Sequence, residues 1–401
     1  MTSIYLDHNA TTRTHPEVVA AMLPFFTEQF GNASTLYGMG TESARALRQA
    51  RQAVAALIGA EKEEEIVFTS GGSESNNTAI RAGLAADPSR REIVTSAVEH
   101  PAVLQLCAWL EAREGIKVHR IPVDGHGRLD IEAYRAALSP KTAIVSLMWA
   151  NNETGTIFPV EGLAELAHEA GALFHTDAVQ AVGKVPVTLK GTAIDMLSLS
   201  GHKFHGPKGI GALYVRRGTK FQPLIFGGKQ ERGRRAGTEN VPGIVGLGKA
   251  AELTMATLVE DIAAIKVLRD RFERDVLGAV ERCFVVGDPY DRLPNTATIA
   301  FDFVEGEGIL LHLDREGIAA SSGSACTSGS LEPSHVLKAM AVPFTAAHGA
   351  IRFSLGRETT ATEIDRVTEA LPPIIARLRE MSPFWEEDAQ ETPSSFQSLH
   401  A

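Results

Sequence analysis

Between Glu65 and Arg216, six short apolar runs alternate with stretches of helical character, and this rhythm constrains the fold more than any other feature of the chain. The runs are "EIVFTS" (65–70), "EIVTSAV" (92–98), "AIVSLMWA" (143–150), "ALFHTDA" (172–178), "DMLSLS" (195–200) and "GALYVR" (211–216). They are largely continuous in apolar character, the pattern of strands covered on both faces. Segments such as "VEGLAELAHEAG" (160–171) lie between them, with Gly171 placed to stop a helix. The alternation predicts an α/β domain with a mostly parallel sheet. Ligands of such sheets gather beyond the carboxyl ends of the strands, so the residues that follow each run are the first candidates for a site.

After the last run an amphipathic helix is expected, with Leu258, Ile262, Ile265, Leu268, Phe272 and Val276 at three- and four-residue steps. It could carry the chain into a second domain. "CFVVGD", "TATIAFDF" and a helical "EGILLHLDREG" (307–317) then predict a smaller α+β unit. The terminal "EEDAQETPSSFQSLHA" is polar and reads as a loose tail.

The net charge of -10 gives no electrostatic support to a nucleic-acid or anionic-membrane role. "MTSIYLDHNATT" has no apolar core of a signal peptide, and no run approaches a membrane span. Cys107, Cys283 and Cys326 are far apart, and no CxxC pair exists. A reducing cytoplasm is expected, with neither a disulfide framework nor a metal site.

The chemistry-bearing candidates follow the runs. "FTSGGSESNN" (68–77) is a strand, a glycine turn and a helix start. Exposed N–H groups there suit a phosphate, with Gly72 and Ser73 at its centre, although a plain capped turn has the same pattern. His100 in "VEHPAV" could stack on a flat ring, move a proton or cap the helix after it. Asn152 in "ANNETGT" could bond a ring substituent or build a polar turn. Asp177 and Gln180 in "HTDAVQ" end a buried run, where a carboxylate either calls for a cationic partner such as a protonated pyridine nitrogen or simply starts a helix. "SLSGHKFHG" places Ser200, His202 and Lys203 together, which fits a Schiff-base amine beside phosphate donors or a surface lysine in a loop. Arg352 in the apolar "IRFSLG" needs either a ligand carboxylate or a structural ion pair. Cys326 lies in "SSGSACTSGSLEPSH", a segment with too few apolar side chains to bury a thiol. Cys107 and Cys283, beside apolar runs, read as structural thiols.

Taken in order, "YLDHNATT", "FGNAS", "FTSGGSES", "VEHPAV", "ANNETGT", "HTDAVQ", "SGHK", "RRAGTEN", "SSGSACTSGSLEPSH" and "RFSLG" resemble the NifS-type cysteine desulfurases, nearest to the nitrogen-fixation type. These are fold-type I pyridoxal-phosphate enzymes of the class-V aminotransferase-like family. The resemblance implies a seven-stranded-type sheet flanked by helices in a large domain over 15–257. A smaller α+β domain would comprise 1–14 and 258–382, carry a mobile cysteine loop at 321–334, and be followed by a flexible tail over 383–401. It implies that Lys203 carries pyridoxal 5'-phosphate as a Schiff base and that His100 stacks on its ring. Asp177 would pair with the ring nitrogen, and Gln180 and Asn152 would contact the ring oxygen. Gly72, Ser73, Ser200 and His202 would hold the phosphate, with Thr238 reaching it from the neighbouring subunit of a homodimer. Arg352 and Asn152 would bind the carboxylate of L-cysteine. Cys326 would take the sulfur as a persulfide and pass it to an iron–sulfur scaffold protein, leaving L-alanine. A selenocysteine lyase or a housekeeping desulfurase is expected to share these parts. The chain departs from the family at Ala33, where proline is usual, Tyr37, where histidine is usual, and Ser73, where threonine is usual.

Overall fold

The computed structural model describes residues 3–322, 333–382 and 385. Cys326, most of the expected cysteine loop and all of the expected tail except Trp385 lie outside the described residues.

The described strands are β1 (Ile4–Tyr5), β2 (Ile66–Thr69), β3 (Glu92–Ser96), β4 (Lys117–Ile121), β5 (Thr142–Met148), β6 (Leu173–Asp177), β7 (Met196–Ser200), β8 (Gly211–Val215), β9 (Cys283–Val285), β10 (Thr296–Phe301), β11 (Ile318–Ala319) and β12 (Ala350–Ser354). Seven of them form one sheet in the order β2-β8-β7-β6-β5-β3-β4. Neighbours from β7 through β4 pair in parallel, while β8 runs antiparallel to both β7 and β2. This is the expected mostly parallel sheet, and each apolar run supplies one of its strands. The seventh, β4, escapes the apolar criterion. Its sequence is "KVHRI", and only Ile121 is fully buried, because it is an edge strand with one pairing partner.

The ends of β2, β3, β5, β6 and β7 that lead into the site all lie along one edge of this sheet. β10 pairs antiparallel with β9 and β12 to form the second sheet, and β1 pairs in parallel with β11. Two large cores result. One covers a face of the seven-stranded sheet and includes Phe158, Phe174, Leu197 and Leu247. The other lies under the three-stranded sheet and includes Leu6, Phe272, Ile299, Phe353 and Leu371. Phe272 and Phe353 meet edge to face there, with centroids 4.9 Å apart. Such a pair adds about 0.5–1.5 kcal/mol to what burial alone gives.

A single helix, Val241–Ala279, spans 39 residues and joins the cores. Its Ile244, Leu247, Ala250 and Ala251 pack in the first, and its Phe272 and Val276 in the second. It begins well before the expected start near Leu258. The early turns have no polar stripe because Gly243, Gly246, Gly248 and Ala250 are buried among other elements. Gly248 allows the close approach of helix Gly38–Leu57, since a Cβ there would lie 2.5 Å from Ala50 Cα. The segment after the cysteine loop also joins the first core, through Val336, Leu337 and Met340. Cys107 is fully buried, and burial pushes its thiol up to about 12. Cys283 is half-buried and donates to the Val280 carbonyl at 3.1 Å. Among the described residues no helix is long and apolar enough to cross a membrane.

Candidate active site

One cleft of about 290 Å³ is lined by Gly72, Ser73, His100, Asn152, Asp177, Gln180, Ser200, His202, Lys203 and Arg352. These expected site residues come from six separate chain segments. Asn9, Ala10, Asn76, Met148, Ala150 and Val179 complete the wall. Thr238 is exposed on the 234–240 stretch and does not line the cleft of its own chain.

The helix Gly72–Ala86 starts directly after the turn that leaves β2. Gly71 holds φ at +152°, and no side chain caps the helix. Ser73 is therefore inside the first turn, and the capping role open to it in the sequence is not the one it takes. The first amides of the helix are left to a ligand or to water, and the helix dipole adds positive potential there. A Cβ on Gly72 would come within 2.6 Å of Val179 Cγ2, so glycine keeps this cup open. Ser200 ends β7 on the same side. His202 follows on the short Gly201–Lys203 turn. Burial, then the charges of Lys203, Lys208 and Lys184, push the His202 imidazole down to about 4. It is neutral at pH 7. Its Nδ1 lies 3.1 Å from Thr11 Oγ1, a hydroxyl able to donate, which would leave the proton on Nε2.

His100 caps the helix Pro101–Glu114: its Nδ1 accepts from the Ala102 N–H at 3.1 Å. It also lines the cleft, so the two readings of this histidine are compatible. Burial lowers its pKa, with Asp177 opposing and Lys203 and His335 adding to the effect. The neutral ring then carries its proton on Nε2.

Asp177 ends β6 and is only 6% exposed. Its Oδ2 accepts from Asn76 Nδ2 at 2.6 Å and its Oδ1 from the Val179 N–H at 3.0 Å. Both partners are neutral, and among the described residues no ion pair to Asp177 is found. Asn76 itself has a buried Oδ1 with no partner. The Lys203 amine donates to the carbonyls of Asn9 at 2.6 Å and Ala10 at 2.8 Å. Gln180 Nε2 donates to the Asn9 carbonyl at 2.9 Å.

Asn151 builds the turn after β5, its Oδ1 accepting from the N–H groups of Glu153 and Thr154. Asn152 is thereby turned to the cleft. Arg352, on β12 of the second sheet, is 2% exposed. It donates to the Asn152 carbonyl at 2.9 Å and to Asp7 Oδ1 at 2.7 Å. The structural ion pair foreseen as one alternative is thus present, and it sits in the cleft wall.

The cleft fits pyridoxal phosphate on its own features. It has an uncapped helix start kept open by glycine. It also has a buried carboxylate whose partners are neutral, and a lysine that lines the same cleft. The cleft residues with polar side chains that sequence reading missed are Asn9 and Asn76. Asn9 and Asn76 lie inside quoted motifs, but nothing local marks the Asn76 amide as a partner of Asp177 or the Asn9 backbone carbonyl as one of Lys203.

The aminotransferase class-V family model matches residues 4–367. The cysteine desulfurase of Cereibacter sphaeroides is 68% identical over 97% of this chain and 100% of its own length. The cysteine desulfurase NifS of Azotobacter vinelandii is 60% identical over 96% of each chain. A solved structure described as a NifS-like protein superposes with a TM-score of 0.88 at 36% identity, covering 94% of this chain and 100% of that one. With this fold and this cleft, the chain belongs to the class-V aminotransferase family, within its cysteine desulfurases.

Proposed function

We propose that the chain binds pyridoxal 5'-phosphate in the cleft, takes sulfur from free L-cysteine and holds it on Cys326, releasing L-alanine. The observation that carries this reading is the meeting of Lys203, Asp177, His100, the open helix start at Gly72 and Arg352 in one cleft. When bound, the cofactor supplies an electron sink conjugated to the substrate Cα.

The chain's own residues supply the rest. The N–H groups at Gly72 and Ser73, the hydroxyls of Ser73 and Ser200, and His202 Nε2–H hold the phosphate. Asp177 holds a proton on the ring nitrogen by pairing with it. His100 covers one face of the ring. Gln180 and Asn152 address the ring oxygen. Lys203 anchors the cofactor and, once freed, moves the Cα proton. Arg352 and Asn152 orient the substrate carboxylate. The Cys326 thiolate attacks the substrate sulfur. A sulfur–sulfur bond forms and the carbon–sulfur bond breaks. Its electron pair stays with the three-carbon fragment, which leaves as alanine after protonation, and His100 is placed to serve as an acid or base.

Three finer assignments belong to the same reading. Thr238, exposed in the single chain, reaches the cofactor phosphate of a second copy in a homodimer. The persulfide passes to an iron–sulfur scaffold protein. The nearness of the chain's motifs to the nitrogen-fixation type supports a nitrogen-fixation role, and the sparse, widely spaced cysteines fit a cytoplasmic setting.

The test is to mix the protein with L-cysteine and a reductant and to quantify alanine and sulfide together. Equal amounts are expected, and neither should accumulate catalytically with Cys326→Ala. Pyruvate instead of alanine, or sulfide from Cys326→Ala, would reject the mechanism.

A further inference from the structure

Lys184 takes no part in the steps above, yet its amine is buried beside the cleft. The residue is 8% exposed. Its Nζ donates to Asn9 Oδ1 at 2.8 Å and to Gln180 Oε1. Neither partner is a carboxylate, although a buried ammonium ordinarily has one. Burial, then the charges of Lys203 and Arg352, hold its pKa well below the usual lysine range.

The consequence is geometric. A charged lysine donates and cannot accept, and an uncharged one keeps two hydrogens beside its lone pair. Here both amides turn their oxygens to Lys184 and accept from it. For Asn9 this sends Nδ2 to the Asn152 carbonyl at 3.2 Å and Thr296 Oγ1 at 2.9 Å. For Gln180 it sends Nε2 the other way, where one hydrogen goes to the Asn9 carbonyl at 2.9 Å. The second hydrogen is left for whatever lies in the cleft that Gln180 lines. The same Asn9 carbonyl accepts from Lys203 Nζ at 2.6 Å, so one backbone oxygen ties the two groups together.

We propose that Lys184 is a positioning residue: it fixes Gln180 as a hydrogen-bond donor toward the cleft, and so selects a ligand that places an anionic oxygen there. The inference rests on the reading of the cleft as a pyridoxal-phosphate site, in which that oxygen is the one on the pyridine ring. Without Lys184 only the bond to the Asn9 carbonyl would hold the Gln180 amide in this sense, and a rotated amide would present its oxygen and repel the ring oxygen.

The test uses the full chain, stripped of cofactor and titrated with pyridoxal 5'-phosphate and with its analogue lacking the ring oxygen. Lys184→Met should weaken binding of pyridoxal phosphate roughly 10- to 150-fold, the range of a hydrogen bond to a charged group. It should change binding of the analogue less than about twofold. In a Gln180→Ala background, Lys184→Met should add less than about twofold, because its route of action is gone. Equal losses in both backgrounds, or equal losses for both ligands, would mean a merely structural lysine and overturn the proposal. Circular dichroism checks folding. If Lys184→Met does not fold, Gln180→Glu decides: it keeps an acceptor for Lys184 but shows an oxygen to the cleft. It should lose affinity for pyridoxal phosphate and not for the analogue, and unchanged affinity for both would overturn the proposal. Failure of the unaltered chain to bind pyridoxal phosphate would overturn the cofactor reading and this inference with it.

Discussion

The large sheet and the three-stranded sheet each send one buried charged residue into the cleft, and they stabilise it in opposite ways. Asp177, at the end of β6, is held by an amide and a backbone N–H. Arg352, on β12, is held by the carboxylate of Asp7 and a carbonyl. The first is a charge whose protein partners leave it net negative. The second is largely neutralised before any ligand arrives. A buried carboxylate with neutral partners gains most from a cation, which the protonated ring of the proposed cofactor provides. A substrate carboxylate at Arg352 must share the guanidinium with Asp7, so its contribution is selectivity and orientation more than net charge. Under the proposed function, the difference would give tight cofactor binding to the large sheet and substrate discrimination to the small one.

The largest effect expected is at Asp177. Asp177→Asn should lower kcat for alanine formation about 100-fold or more, because the ring nitrogen loses its charged partner in a dry site. Activity within a few-fold of the unaltered chain would break the comparison. Arg352→Lys keeps the charge beside Asp7 but loses the planar fork. It should raise KM for L-cysteine about 10-fold with a smaller change in kcat. A fall in kcat with KM unchanged would mean that Arg352 is not a ground-state carboxylate binder.

A third carboxyl sharpens the contrast. Glu99 is fully buried at the same edge of the large sheet, with Oε1 accepting from Ser96 Oγ at 2.6 Å and the Met148 N–H at 2.9 Å. Burial raises its pKa to about 8, against hydrogen bonds that lower it. The large sheet thus keeps one carboxyl neutral at the same edge that carries Asp177. Folding raises this pKa, so the native state holds a proton that the unfolded chain releases above about 4.5. Stability from this group is therefore present at low pH and lost as pH rises toward about 8. Glu99→Gln removes that slope. The urea midpoint should rise most at pH 8, by an amount worth about 1 kcal/mol or more, and change little at pH 4.5. A variant that is less stable at pH 8 would show that Glu99 is ionised in the fold.

Much of this architecture is legible in the residues. The apolar runs become strands because a two-sided covering demands continuous apolar character, and β4 is missed because an edge strand does not. His100, Asp177, Lys203 and Arg352 stand out because each is a costly residue type beside an apolar run. Asn76 and Asn9 do not stand out, since an amide is cheap anywhere and its value lies only in what it meets. The helix at Val241 starts early for a related reason: small residues packed on all sides leave no amphipathic stripe to read. Thr238 has no signal of its own at the level of one chain.

The amino-acid sequence by itself determined which segments become buried strands and which chemical groups follow them, because burial and ionisation costs are local properties of residue types. Only the tertiary structure decided how those groups are partnered. Asp7 reaches Arg352 across 345 residues, and Asn9 meets Lys184, Gln180 and Lys203 because the stretch after β1 bonds Ser354 of β12 through His8 and the turn after β7 through Thr12. Hydrogen bonds act over a few ångströms of space, and spacing along the chain carries no record of which distant segment packing will bring there.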